Sequence, residues 1–350
     1  MKSIIKTLFI MASILTCGNA GMEAQQNNAF TNMIAAAIKA PSGHNTQPWK
    51  FKIENNYIDV LPDLSATLNV VDGDRRELYI SLGTAVENLC IAATHEGYTA
   101  QPEILKDSSF YYVHIPLSHS GDVRESPLYA SIAKRQTNRS VYERRIITPD
   151  TIALLQQATP EKGVHFYFYA NGTETFNWLA NEIYKGNGIQ MSNPKFKEEL
   201  LNWMRFNKGQ AEKEGNGLYT SAMGAPSLPS AIAKPIVKSF LNPKAQNKSD
   251  KKKIESSSHL MLITADNNDQ ESWIAIGRSL ERLVLTTTKL GIVNAYENQP
   301  CELNILSEEL RSQMKDIHNE YPDMLLRLGY SKPMPYSHRR NIDSFIITNK

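Results

Sequence analysis

Ala40-Pro41-Ser42-Gly43-His44-Asn45-Thr46-Gln47-Pro48-Trp49 is the stretch whose reading decides the fold. It follows an alanine-rich helical run and precedes an alternating, strand-like Lys50-Phe51-Lys52-Ile53. Pro41 restricts the backbone before it, Gly43 permits a positive φ, and Ser42 and Asn45 favour turns. The pattern predicts a short rigid loop presenting backbone amides together with Ser, His, Asn and Gln side chains. Such a loop can edge a planar polar ligand, because its donors and acceptors sit on short stems. Without a ligand the same string reads as a helix-to-strand connection. His44 reads as a proton donor or as the holder of a structural hydrogen bond.

Upstream, Lys2 and Lys6 precede an apolar run from Leu8 to Leu15, and Gly18-Asn19-Ala20 puts small residues before Gly21. This predicts a cleaved export signal over residues 1–20. Cys17, preceded by Ile14-Leu15-Thr16, leaves open a lipid anchor instead, so the expected location is periplasmic or membrane-anchored by lipid. No later apolar run reaches transmembrane length. The chain carries 38 Lys+Arg against 36 Asp+Glu, and loss of Lys2 and Lys6 makes these equal. That balance argues against a nucleic-acid binder, which needs a basic face. Of 3 cysteines, Cys90 and Cys301 remain after cleavage, in no metal-binding spacing. No metal site is expected, although the two could pair in an oxidising compartment. A hydrophobic content of 41% can fill one large core or two intimate halves.

Downstream, residues 28–39 read as a helix, 50–61 as two strands turning at Asn55-Asn56, 78–96 as a long amphipathic helix and 110–115 as a strand. Asp72-Gly73-Asp74-Arg75-Arg76 reads as a turn into a capped helix. Ile80-Ser81-Leu82-Gly83-Thr84-Ala85-Val86-Glu87-Asn88-Leu89, followed by Gly97, parallels Ile274-Ala275-Ile276-Gly277-Arg278-Ser279-Leu280-Glu281-Arg282-Leu283, followed by Gly291, at a constant offset of 194. The agreement points to a tandem duplication, with two unrelated amphipathic helices as the bland alternative. A glycine inside a helix costs about 1 kcal/mol against alanine, so Gly83 and Gly277 predict close approach of the two helices or of a ligand. Glu87 and Glu281 read as residues that orient helices. Further helices are expected over 128–133, 151–157, 173–184 and 196–206, with strands over 164–169, 259–265 and 324–328. Between Gln210 and Lys253 the pattern loosens into Gly, Pro and a basic run, as in a lid, a binding loop or a disordered segment.

The opening string resembles the A-P-S-x-x-N-x-Q-P-W loop of the nitroreductase superfamily of flavoproteins, which touches the flavin of bound FMN. Arg135-Gln136-Thr137-Asn138-Arg139 is similar to that family's R-R-S-x-R phosphate grip at its first, third and fifth positions, with Gln136 departing from the second. Two arginines suit phosphate because each planar fork binds two oxygens and keeps its charge. Arg339-Arg340 matches the family's closing basic pair, which also reaches the phosphate. Asn298, in Asn294-Ala295-Tyr296-Glu297-Asn298-Gln299-Pro300, matches the segment along the flavin ring. The resemblance therefore implies FMN held by Pro41, Ser42, Gly43, Asn45, Arg135, Thr137, Arg139, Asn298, Arg339 and Arg340, with no side chain assigned as catalytic.

The first half, residues 21–124, has the loop but no arginine pair before Asn28. The second half, 125–350, has the arginines, but its Ala158-Thr159-Pro160-Glu161-Lys162 lacks the loop's side chains. One complete set split across two halves resembles the fused, Acg-like branch of the superfamily. It implies an α+β, nitroreductase-like internal pseudo-dimer, with mixed β-sheets flanked by long helices and one flavin per chain. Residues 210–253, with Trp203, Arg205 and Gly217-Leu218-Tyr219, resemble that branch's lid. The expected activity is hydride transfer through FMN from a small-molecule donor to a nitro, quinone or similar acceptor, by a monomer or homodimer. Two other readings stand beside it: a flavin-sequestering protein with a covered ring, and an exported structural protein without flavin.

Overall fold

The computed structural model describes residues 26–158 and 160–347; the expected export signal, Cys17 and Thr159 lie outside them. After α1 (26–37), β1 (Trp49–Glu54) and β2 (Tyr57–Pro62) form the expected hairpin. Next come α2 (Arg76–His95), β3 (Tyr98–Ala100), β4 (Glu103–Lys106) and β5 (Tyr111–His119). The chain continues through α3 (Tyr129–Ile132), α4 (Pro149–Gln156), β6 (Val164–Ala170), α5 (Glu174–Ser192) and α6 (Pro194–Trp203). Then follow β7 (Met204–Arg205), α7 (Lys208–Glu214), β8 (Leu218–Tyr219), α8 (Ser230–Phe240) and α9 (Pro243–Ile254). The last elements are β9 (His259–Ala265), α10 (Gln270–Lys289), β10 (Val293–Tyr296), α11 (Gln299–Glu302), α12 (Asn304–Gln313), β11 (Tyr321–Gly329) and β12 (Ile346–Ile347).

Two sheets carry the α+β architecture. One runs β12-β1-β2-β5-β3, with β4 also on β5, and is mixed because β12 lies parallel to β1. The other runs β10-β11-β9-β6 and is antiparallel throughout. All of β9 is buried, and its period of two divides it between faces. Met261, Ile263 and Ala265 join the main core, while Leu260 and Leu262 join a second cluster under α5 and α12.

The main core is centred on α2 and α10. A Cβ on Gly83 would collide with the Ile274 carbonyl oxygen and lie 2.9 Å from the Gly277 Cα. A Cβ on Gly277 would collide with the Ile80 carbonyl oxygen and lie 2.8 Å from the Gly83 Cα. The helices thus cross backbone to backbone at the two repeated glycines, the first of the two reasons the sequence suggested. The Asp72 carboxylate accepts from the Glu77 and Leu78 amides at 2.8 and 2.9 Å and starts α2. Glu87 on α2 accepts from Arg278 and Arg282 on α10 at 3.1 and 2.7 Å, which fixes the crossing.

Two local expectations are corrected. Gly43 is not left-handed; the positive φ values fall on His44 (47°), Asn45 (58°) and Gln47 (55°). Gly43 instead makes room, since a Cβ there would lie 2.8 Å from Glu77 Oε2. Residues 210–253 are not loose: α7, α8 and α9 occupy most of them, with Asn207 and Asn242 capping α7 and α9. Polar composition and Pro235 hid these helices from a search for amphipathic periodicity. Cys90 and Cys301 form no disulfide among the described residues.

Candidate functional site

Two cavities meet beneath the 40–49 loop, one of about 370 Å³ and one of about 80 Å³. Pro41, Ser42, Arg139, Leu218 and Tyr296 line both, so the smaller is an annex of the larger. The loop is held rigid from within and without. Ser42 Oγ accepts from the Gln47 amide at 3.0 Å, and the Gly43 amide donates to Ser81 Oγ at 3.3 Å. Thr84 Oγ1 donates to the Pro41 carbonyl at 2.9 Å.

The annex is cationic. A bridge between Thr137 and Asn294, with the Asn138 amide donating to the Asn294 carbonyl at 2.8 Å, pegs the 135–139 segment to β10. Arg135 is 6% exposed and donates through Nη2 to the Lys39 carbonyl at 3.0 Å. Its Nη1 and Nε have no hydrogen-bond partner among the described residues, and Nε faces Glu281 Oε1 at 3.7 Å. Arg139, which separates annex from main cavity, has no hydrogen bond or ion pair among the described residues, and burial lowers its pKa. Arg339 donates to the Ile38, Lys39 and Ala40 carbonyls at 2.9, 3.2 and 3.2 Å, which also caps the end of α1. Burial and the neighbouring Arg135 hold its guanidinium down to about 9. Against these three cations stands Glu281, whose own carboxyl burial pushes up to about 7. Under-neutralised guanidiniums, with unused donors on the buried Arg135 and on the half-buried Arg139, fit a phosphate dianion.

Not every expected residue gathers there. Thr137 and Asn45 line the annex, but Asn45 Nδ2 donates to the Gly217 and His338 carbonyls, both at 3.1 Å. Gln47 Nε2 donates to the Gly215 carbonyl at 2.9 Å. These two side chains therefore clamp the 203–254 region and the C-terminal tail to the loop. Arg340 lines neither cavity; its Nη2 donates to the Gln47 carbonyl at 2.6 Å and its guanidinium lies 4.4 Å from the Phe345 ring.

The main cavity has an acidic floor and an apolar wall. Pro41, Ser42, Gly43, His44 and Asn298 line it as expected. Asn298 Nδ2 donates to Glu77 Oε1 at 3.3 Å and its Oδ1 accepts from the Leu325 amide at 3.0 Å. Burial first, then the neighbouring Glu302, raises Glu77 to about 8; burial likewise raises Glu302, which accepts from Gln190 Nε2 at 2.5 Å. Glu297 pairs with the fully buried Arg327 at 3.0 Å and is pushed up to about 7, chiefly by burial. Burial, aided by the Arg139 charge, holds His44 down to about 4, so its imidazole is neutral at pH 7. Met191, Phe196, Met204, Leu218, Met223 and Leu241 form the wall. Sequence reasoning missed Glu77, Gln190, Glu302 and Arg327. They converge from α2, α5, α11 and β11, and no local pattern marks them.

No family model matches the chain. Two curated relatives, described as candidate NAD(P)H nitroreductases of Mycobacterium tuberculosis strains CDC 1551 / Oshkosh and ATCC 25618 / H37Rv, are each 23% identical over 345 residues. Each match covers 94% of this chain and 94% of the relative. Among solved structures, a nitroreductase with bound FMN from Bacteroides fragilis is 15% identical, covering 64% of this chain and 100% of its own, with a TM-score of 0.38. The FMN-dependent nitroreductase NfnB of Mycobacterium smegmatis, in complex with NADPH, is 12% identical over 63% of this chain and 96% of its own, with a TM-score of 0.39.

Proposed function

We propose that this chain, a nitroreductase homologue over 94% of its length, binds one FMN across the two joined cavities and acts as an oxidoreductase. The observation that carries the reading is the annex: Arg135 with unused donors and Arg139 without a partner among the described residues, continuous with a cavity edged by Pro41, Ser42 and Gly43. Arg135, Arg139 and Arg339 would hold the phosphate, and the 41–44 loop and the 296–298 backbone would edge the ring. When bound, FMN supplies hydride transfer, the chemistry that no side chain here provides. The apolar wall excludes water, and burial together with the neighbouring Glu302 favours the protonated form of the Glu77 carboxyl beside the ring cavity. The donor is a small molecule of the nicotinamide class, as the relatives' name states for them, and the acceptor is a nitro compound, quinone or similar molecule.

The reciprocal fit of Gly83 and Gly277 supports two fused half-units, 21–124 and 125–350, sharing that site. Lys2, Lys6 and the apolar run after them support export. A second reading, a flavin holder with little turnover, is favoured by Leu218, Met223 and Leu241, which bring the 210–253 segment onto the cavity as a lid. The test is reconstitution with FMN followed by anaerobic mixing with NADH or NADPH. Saturation at one flavin per chain and bleaching of the flavin absorbance support the oxidoreductase. Bound flavin that resists reduction supports the holder, and no flavin binding refutes both.

A further inference from the structure

Helix α8 is apolar on two sides. Ala233, Val237 and Leu241 face inward against Leu201, Met204 and Phe206. Ile232, Ile236 and Phe240, spaced four apart, form an outward stripe and are 56%, 45% and 63% exposed. A helix that is apolar beyond its packed face is shaped for a second apolar environment. Its surroundings specify which. Lys234, Lys238, Lys244, Lys248, Lys251 and Lys252 are all exposed on α8 and α9. Between residues 215 and 254 the one acidic residue is Asp250, which is buried and accepts from Asn187 and Gln246. Of these six lysines only Lys251 is offset among the described residues, by Glu255 at 3.8 Å. An apolar stripe of Ile and Phe on a helix whose opposite, polar side carries Lys234 and Lys238, in a segment with no exposed acid, is the composition of a helix that lies in the headgroup region of an anionic bilayer. No helix among the described residues is long and apolar enough to cross a membrane, so contact would be peripheral.

We infer that α8 docks on an anionic lipid surface, with Ile232, Ile236 and Phe240 entering the headgroup region and the lysines of 234–252 supplying the electrostatic attraction. The inference is independent of the flavin. Its test is co-sedimentation of the full chain with vesicles of neutral phosphatidylcholine or of phosphatidylcholine with phosphatidylglycerol. The comparison adds an Ile232→Ser/Ile236→Ser/Phe240→Ser variant and a Lys234→Gln/Lys238→Gln/Lys244→Gln/Lys248→Gln variant. All altered side chains are exposed, so the fold should survive, as a thermal melt checks. Any leader that binds lipid acts equally in all three proteins. Wild type should partition to anionic vesicles in a salt-sensitive way, the serine variant should lose most of that binding, and the lysine variant should weaken it by at least about fivefold and remove its salt sensitivity. Equal binding by all three proteins would overturn the inference. So would a stripe-dependent dimer in sedimentation velocity without stripe-dependent vesicle binding, which would assign the face to a second copy.

Discussion

At the scale of the residue, Arg139 is the most informative side chain, because a half-buried, cavity-lining guanidinium without a partner among the described residues is costly unless an anion completes it. Arg139→Ala should weaken FMN binding by roughly ten- to a hundred-fold, the worth of one charge-assisted contact. It should leave the melting temperature of the flavin-free protein unchanged or higher. A fluorescence titration and a thermal melt measure the two. Arg340→Ala, which removes a contact to Gln47 rather than to the annex, should change affinity far less. The carboxylates make a pH prediction. Glu77 is raised to about 8, and Asp72 and Asp323 to about 7, each mainly by burial, against ordinary values near 4. The folded protein therefore binds more protons than the unfolded chain between those limits. Their stabilising contribution is complete below about pH 4 and is lost as pH rises to about 8. Urea midpoints of the flavin-free protein should fall across that window, and Glu77→Gln should flatten the fall.

At the scale of the element, the two repeated glycines carry a sharper test. Gly277→Ala drives a methyl into backbone of α2 that no rotamer change can clear, so it should cost about 3 kcal/mol. Gly188, also inside a helix but with nothing within 4 Å of its Cβ position, should gain about 0.5–1 kcal/mol on the same change. Denaturant curves for the two variants decide whether the crossing or helix propensity explains the repeat. This contrast also says what was legible beforehand. Gly83 and Gly277 announced a close approach because a helix-breaking residue recurring in register needs a reason. The 135–139 arginines and the 40–49 loop were legible for the same cause, unusual residue types packed into a short string. What escaped was convergence from distance. Glu77 and Glu302 are separated by most of the chain, and the tertiary fold alone puts them together. Gly43 misled because glycine serves close approach as readily as positive φ, and here the left-handed geometry went to His44, Asn45 and Gln47.

At the scale of the whole molecule, the 203–254 region is tied to the loop, to the tail and to the cavity at once. Gly215 and Gly217 receive hydrogen bonds from Gln47 and Asn45, while Leu218, Met223 and Leu241 wall the ring cavity. Its last helix belongs to the body, since Asp250 on α9 is buried and bonded to Asn187 on α5. The part that can be removed without touching the main core is therefore residues 224–241, comprising α8 and the turn before it, at the cost of uncovering Leu201, Met204 and Phe206. Donor and acceptor must each come within about 3.5 Å of a reactive ring, so whatever walls that cavity governs access. Replacing 224–241 by a short glycine-serine linker removes Leu241 from the wall but leaves Arg135, Arg139 and the 41–44 loop in place. FMN should stay bound, and oxidation of NAD(P)H with a quinone or nitroaromatic acceptor should become faster. Lost turnover with FMN retained would instead make α8 part of the substrate site. An unchanged rate in a folded, FMN-loaded variant would remove the segment from the mechanism and leave the acidic floor, with Glu77 and Glu302, as the surface that the substrates meet.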